Sequence, residues 1–473
     1  MKFTISLFFA GCLIQSQTVP TPLQQAAIDR ISANSLKGNI SFLSSDLLEG
    51  RDTPSPGLDI AAEFIAAQFR RAGLEPLVDG GYLQTAAMVL QKPVTTGQRL
   101  VVKIAGIETA IEKGISSRNE SSLDLKDETV WKYDADTLRA ASPSDLSGKV
   151  IAIESLPAQA LRLLRQSPAR AILIAARLPG QGTAARIIDK SRPPGGVIVA
   201  VENDEFRKAL KHEPLGRTAM TLDIRLPAPE EKPFKASNVA GLLRGSDPEL
   251  SKTFVIVSAH YDHLGISTRE GPDRIYNGAN DDASGTASVI EIASSLASLR
   301  ERPKRSVLFL AFFGEEKGLI GSRYYAGRPL LPLEKSVASV SLEQLGRTDE
   351  EKGKAIKSVR FTGQDFSNIP ALMRPGIEAE GIKLDLEDAQ RSASFFSRSD
   401  NVSFAEKGIP AHTICVAYVY PDYHGLGDHW DKIDYANMES VVRAIASGIL
   451  AISENPIEPK WNKENPAAAK YAK

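Results

Sequence analysis

Ala259-His260-Tyr261-Asp262-His263-Leu264-Gly265 opens a series that continues with Asn277-Gly278-Ala279-Asn280-Asp281-Asp282-Ala283-Ser284-Gly285 and closes on Phe312-Phe313-Gly314-Glu315-Glu316-Lys317-Gly318. Residues 253–259 form a near-continuous apolar run, and so do 306–313 before the Glu pair. Apolar runs of this length predict buried strands, and 284–299 between them has the length and composition of a helix. Histidines and paired carboxylates therefore stand beside the ends of regular elements, as a metal site with a built-in base requires.

Outward from this series the alternation continues. Residues 319–325 predict a helix, 337–342, 358–362 and 411–417 predict strands, and 436–453 predict a terminal helix. Buried strands separated by helices give an α/β fold, a three-layer and mainly parallel sheet with helices on both faces. Upstream, 23–33 and 59–72 predict two more helices of the same layer, the second with Ile60, Phe64, Ile65 and Phe69 on one stripe and Gly73 as its stop. Residues 44–51 read as an ordered loop between them. Between about 95 and 225 the pattern changes to short strands at 149–154, 171–175, 196–201 and 220–224, punctuated by Gly148, Pro157 and Pro193-Pro194-Gly195-Gly196. That segment reads as a smaller inserted domain, and Leu226-Pro227-Ala228-Pro229-Glu230-Glu231-Lys232-Pro233 as an extended linker, because proline biases its predecessor away from helix. The expected division is a signal peptide at 1–17, an N-terminal helical part at 18–94, the inserted domain at 95–230, the main domain at 231–455 and a tail at 456–473.

A chain of 473 residues exceeds one ordinary core. With 42% hydrophobic and 24% charged residues it has the composition of a soluble globular protein, and a net charge of -1 offers no electrostatic case for nucleic acid or an anionic membrane surface. Lys2 followed by the apolar run Phe3 to Ile14 fits a secretory leader and is too short to span a bilayer, so export to the periplasm or medium is expected. Ala10-Gly11-Cys12 weakly resembles a lipoprotein box, which makes lipid anchoring at Cys12 the lesser alternative. Only Cys12 and Cys415 are present, so stability must come from cores and metal rather than disulfides.

In an open α/β sheet, ligands bind outside the carboxyl ends of the strands. His260, Glu315, Glu316 and Glu343 follow three successive strands there, His424 follows the strand at 411–417, and Asp281 and Asp282 stand at the entrance to the helix at 284–299. An Asp before a helix is usually a cap, the role assigned to Asp282. Two acids directly after a buried strand call for a partner charge. Two histidines with several carboxylates and no Cys suit zinc, and four or five ligands with one shared suit two ions. Of the remaining histidines, His212 reads as surface, His263 as a residue behind the ligands or in the cleft wall, His412 as core and His429 as shaping the loop after His424; Cys415 reads as core.

The block His260-Tyr261-Asp262-His263, Asn280-Asp281-Asp282-Ala283-Ser284-Gly285, Gly314-Glu315-Glu316 and Asp422-Tyr423-His424 resembles the co-catalytic zinc aminopeptidases of peptidase clan MH, relatives of glutamate carboxypeptidase and transferrin receptor. Ser45-Asp46-Leu47-Leu48-Glu49-Gly50-Arg51 resembles that family's N-terminal segment, and the inserted domain resembles a protease-associated domain. The resemblance implies two Zn2+ ions, one held by His260 and Glu343, the other by Glu316 and His424, with Asp281 bridging. It implies Glu315 as general base, Tyr423 as hydrogen-bond donor to the oxyanion and Arg398 as a substrate contact. Asp262 would orient His260, since a metal-bound imidazole needs its other N–H held. The implied activity is peptide hydrolysis by a metal-activated water, acting on peptide or protein N-termini. Carboxypeptidase, glutaminyl cyclase and a non-catalytic binding ectodomain are the alternatives on the same fold. Two positions depart from the pattern: Glu343 stands where Asp is usual, and Asn401 where many members have His.

Overall fold

The computed structural model describes residues 20–155, 167–177, 185–350 and 353–472, so the expected leader at 1–17 and Cys12 lie outside the described residues. The chain divides into two units, one formed by Met1–Ala86 with Ala236–Lys473 and the other by Ala87–Lys235. Both borders differ from the expected 95–230 because strands Leu83–Lys92 and Glu230–Leu243 run through them. Pro233, expected in a linker, lies inside the second of these strands. Its fixed φ is compatible with extended backbone.

Seven successive strands of the first unit's sheet run in the order Lys383–Leu384, Ser358–Phe361, Ala411–Cys415, Ser336–Leu342, Phe254–His260, Ser306–Phe312, Glu230–Leu243. Its four central strands are parallel, while Ser358–Phe361 and Glu230–Leu243 pair antiparallel with their inner neighbours. Every residue of the four central strands is buried, which explains why they read as continuous apolar runs rather than alternating ones. Phe254, Ile256, Leu308, Leu310 and Phe312 face one layer, with Tyr325, Phe404 and Trp461. The intervening residues face the other, where Phe309 meets Phe69 of helix Pro56–Ala72 with ring centroids 6.4 Å apart. This second layer also contains helices Ala33–Leu43, Ser284–Ala297 and Tyr435–Glu454.

Local chemistry sets the helix ends. Ser55 caps Pro56–Ala72 through its side chain and Gly73 closes it in the left-handed region. The single helix expected at 23–33 is two, Pro22–Ile28 and Ala33–Leu43, because Thr21 and Ser32 each cap a separate start. The loop at 44–51 contains a 3-10 turn, Asp46–Arg51. The expected tail is part of the first unit: Trp461 stacks on Tyr471 with centroids 5.4 Å apart and its indole N–H donates to Gly408 O at 2.8 Å. An aromatic pair of this kind buries too much apolar surface to remain a free tail.

The second unit has a mixed sheet ordered Ile107–Ile111, Arg99–Ile104, Gly216–Leu226, Leu123–Tyr133, Val150–Ile153, Ala171–Ile174, Ile198–Val201, Ile115–Arg118. Leu100, Val130, Leu173, Val199, Phe206 and Leu222 form its core on one face, and Ile151, Ile172 and Ile198 on the other. His212 is exposed at the end of helix Asp204–His212. Among the described residues no helix is long and apolar enough to cross a membrane.

Candidate metal centre

His260 is the last residue of its strand, in register with Phe312 of the next, so the Glu315-Glu316 turn emerges beside it. Gly314, at φ 68, makes that turn. Glu343 follows Ser336–Leu342 directly, and its backbone N–H donates to Ile414 O at 3.1 Å. All of these residues are at the carboxyl ends of parallel strands, where the connecting loops converge.

The Asp281 carboxylate is at the centre. Oδ1 lies 3.3 Å from His260 Nε2 and Oδ2 lies 3.2 Å from His424 Nε2. Glu316 Oε2 lies 3.4 Å from the same His424 nitrogen. One carboxylate thus presents its two oxygens to two different imidazoles. Burial opposes charge on His260, yet the carboxylates of Asp262 and Asp281 hold its pKa well above the ordinary histidine range. Burial likewise opposes charge on His424, and Asp281 and Glu316 hold it up at about 10. Burial and Asp281 push Glu316 upward, but His263 and His424 outweigh them and bring it down to about 2.

The Asp281 loop is held from below. Asp428 accepts the backbone N–H of Asn280 at 3.0 Å and of Asp281 at 3.1 Å, and the Tyr420 hydroxyl donates to it at 2.9 Å. The Asp281–Asp282 peptide is cis. Asp282, expected as the cap, accepts the Gly285 N–H at 2.9 Å, though it lies in the turn Ala279–Ala283 and the cap position of helix Ser284–Ala297 is Ala283. A Cβ at Gly285 would lie 2.0 Å from Leu342 O, so glycine lets this helix start approach the Glu343 strand.

Asp262 lies with Oδ1 3.6 Å from His260 Nδ1, and the same oxygen accepts the Glu315 N–H at 3.0 Å. Burial pushes the Glu315 carboxyl well above the usual range, with Glu316, Glu343 and Asp400 adding to the effect and His260 opposing it. Glu343 is pushed up to about 7 by burial, against the pull of His260, and accepts a hydrogen bond from the Ser399 hydroxyl. Tyr423 stacks on His424 with centroids 4.1 Å apart; burial raises its pKa, so the hydroxyl stays a donor at neutral pH. Arg398 is exposed, 3.5 Å from the Tyr423 hydroxyl and 4.7 Å above the Phe395 ring.

The residues fit a divalent cation. Asp281 Oδ2, Glu316 Oε1 and both ring nitrogens of His263 are buried with no hydrogen-bond partner among the described residues. Buried polar atoms left that way cost about 1–3 kcal/mol each, and a cation would satisfy the two carboxylate oxygens and one of the His263 nitrogens together. Imidazole and carboxylate donors without a thiol suit zinc.

Several contributors were not read from the sequence. His263, expected behind the ligands or in the wall and not as a ligand, has Nδ1 2.9 Å from Glu316 Oε1. Asp428 and Ser399 carried no signal. Arg51 is fully buried and donates to the carbonyls of Tyr261 at 2.8 Å, Asn277 at 2.7 Å, Gly278 at 3.0 Å and Leu43. It ties the 3-10 turn to the loops carrying His260 and Asp281. Asn401 donates to Phe396 O at 3.0 Å and accepts from the Thr413 hydroxyl at 3.1 Å, a role within the core.

Residues 238–449 match the model of peptidase family M28. A probable zinc metalloprotease of Pyricularia oryzae is 29% identical over 276 residues, 57% of this chain and 48% of that protein. Aminopeptidase YwaD of Bacillus subtilis is 28% identical over 216 residues, 44% of this chain and 43% of that protein. The chain thus spans about half the length of these curated relatives, 48% and 43%. The solved aminopeptidase from Aneurinibacillus sp. strain AM-1 aligns over 90% of this chain and 95% of its own with a TM-score of 0.56 and 22% identity. That likeness shows a shared fold.

Proposed function

Residues 238–449 match peptidase family M28, and from that premise we propose that the chain is an exported zinc metallopeptidase of this family that removes residues from peptide N-termini. The observation that carries the reading is the division of the Asp281 oxygens between His260 and His424, with Glu316 against His424. A bridging carboxylate between two ions needs this placement. Relatives described as an aminopeptidase and as a zinc metalloprotease support it.

In this reading His260, Asp281 and Glu343 would hold one zinc ion and Asp281, Glu316 and His424 the other. Bound there, zinc would supply Lewis acidity toward the scissile carbonyl and lower the pKa of water at the site toward about 7. Glu315 takes the proton of the attacking water and passes it to the departing amine, a task suited to a carboxyl whose proton affinity burial raises above that of an ordinary carboxylate. The Tyr423 hydroxyl donates to the developing oxyanion. Arg398, beside that hydroxyl, contacts the substrate. Asp262 holds the His260 ring through its backbone carbonyl, with its carboxylate nearby, and holds the base through the Glu315 N–H. Export rests on Lys2 and the apolar run Phe3 to Ile14.

The test is hydrolysis by the zinc-loaded protein of aminoacyl anilides, N-acylated dipeptides and glutaminyl peptides in parallel. Cleavage confined to substrates with a free α-amine is expected. Cleavage only of acylated dipeptides, or cyclisation of the glutaminyl peptide, would replace aminopeptidase by one of the alternatives.

A further inference from the structure

His263 has a place in the site that the five-residue ligand set does not assign. Its side chain is fully buried. One of its ring nitrogens and one carboxylate oxygen each from Asp281 and Glu316 all lie within 4.8 Å of one another. Its ring meets that of His424 edge-on, with centroids 5.9 Å apart and an interplanar angle of 72°. Nδ1 comes within 2.9 Å of Glu316 Oε1, yet neither atom has a hydrogen-bond partner, and Nε2 has none either. The other buried histidine of the core behaves differently: His412 has a partner at each nitrogen, the Ser367 hydroxyl at 2.5 Å and Thr362 O at 2.7 Å. An imidazole buried with both nitrogens unmatched needs a partner of another kind.

The surroundings are built to hold that ring. Gly278 has φ 58, and a Cβ there would lie 2.5 Å from His263 Cγ and 2.6 Å from Cδ2. Glycine therefore serves both the backbone conformation and the space the imidazole occupies. From the other side, Arg51 O accepts the His263 backbone N–H at 3.2 Å, while the Arg51 guanidinium donates to Gly278 O at 3.0 Å. The same arginine thus fixes His263 and the glycine beneath it.

We propose that His263 is an additional metal-ligating residue, supplying an imidazole to the ion held by Glu316 and His424. The proposal rests on the zinc-site reading given above. It makes the two ions unequal: the Glu316 side has two imidazoles and the His260 side one. More nitrogen donors favour borderline ions such as zinc over hard ones. The Glu316 side is then the tighter site for zinc.

The test uses the full-length protein and His263→Ala and His263→Asn variants, loaded with zinc. Bound zinc is counted after dialysis, affinity is read by competition with a chromophoric chelator, and X-ray absorption at the zinc edge counts imidazoles per ion. Thermal unfolding of the metal-free forms follows the fold. The wild type is expected to hold two ions with three imidazoles shared between them. Each variant is expected to lose at least tenfold in affinity for one ion and to show two imidazoles, with metal-free stability equal to or above that of the wild type. An imidazole count of two in the wild type would overturn the proposal without any variant. So would variants with unchanged affinity, or variants that lose metal-free stability while the imidazole count stays the same. A wild type that binds no zinc would sink the zinc-site reading and this proposal with it; failure in the other comparisons leaves that reading standing.

Discussion

Glu315 donates its backbone N–H to Asp262 Oδ1 at 3.0 Å, and that oxygen also lies 3.6 Å from His260 Nδ1. Asp262 therefore faces the proposed ligand His260 with two groups, its backbone carbonyl at 3.2 Å from Nδ1 and its carboxylate beyond it, while the carboxylate fixes the residue proposed to move the proton. Asp262→Ala is expected to lower zinc affinity about 10–100-fold, the range for partners that orient a metal-bound imidazole, with Asp262→Asn retaining more of it. Chelator competition reads this directly. Wild-type affinity in the alanine variant would show that His260 needs no such support.

Glu315→Gln keeps the shape and the backbone contact while removing the carboxylate. Turnover of an aminoacyl anilide is expected to fall at least 100-fold, consistent with loss of a positioned general base. Zinc content measured on the same sample is expected to equal that of the wild type. Retained peptidase activity would move the base to another residue.

Arg51 is a structural prediction. Replacing it with Met leaves four buried carbonyls, those of Tyr261, Leu43, Asn277 and Gly278, without their donor. At about 1–3 kcal/mol for each unsatisfied group, a loss of at least about 3 kcal/mol is expected. Chemical denaturation of metal-free Arg51→Met measures it. A change below about 1 kcal/mol would mean that water reaches these carbonyls.

His412 supplies a pH dependence away from the site. Burial pushes its pKa down to about 4 from 6.5, against the hydrogen bond to Thr362 O. The unfolded chain then binds more protons than the folded one between pH 6.5 and about 4. The stability this group contributes is present in full above pH 6.5 and is lost as pH falls to about 4, amounting to about 3 kcal/mol. Unfolding curves of His412→Gln across that window are expected to be flatter than those of the wild type. Parallel curves would assign the acid sensitivity to other groups.

The strands Phe254–His260, Ser306–Phe312 and Ser336–Leu342 were legible because burial on both faces leaves an uninterrupted apolar run, and each run ends at a candidate ligand. Asp281, Glu316 and His424 could be placed on one sheet edge for the same reason. Arg51, Asp428 and His263 could not. Periodicity reports which face of an element is buried, whereas these three act through loop backbones brought together only by the tertiary fold. His263 follows Asp262 directly and reads from sequence as a residue behind the ligands or in the cleft wall; only Gly278, 15 positions on, shows that room was made for its ring. The later border of the second unit, at Lys235, was not legible because proline content marks extended backbone, which strand Glu230–Leu243 has as much as a linker would.

The central claim, that Asp281 bridges two ions, is tested most directly by anomalous diffraction at the zinc edge from crystals of the zinc-loaded protein. Two peaks flanking the Asp281 carboxylate are predicted, one beside His260 and Glu343 and one beside Glu316 and His424. A single peak on one side of Asp281, or none within reach of its carboxylate, would contradict the account.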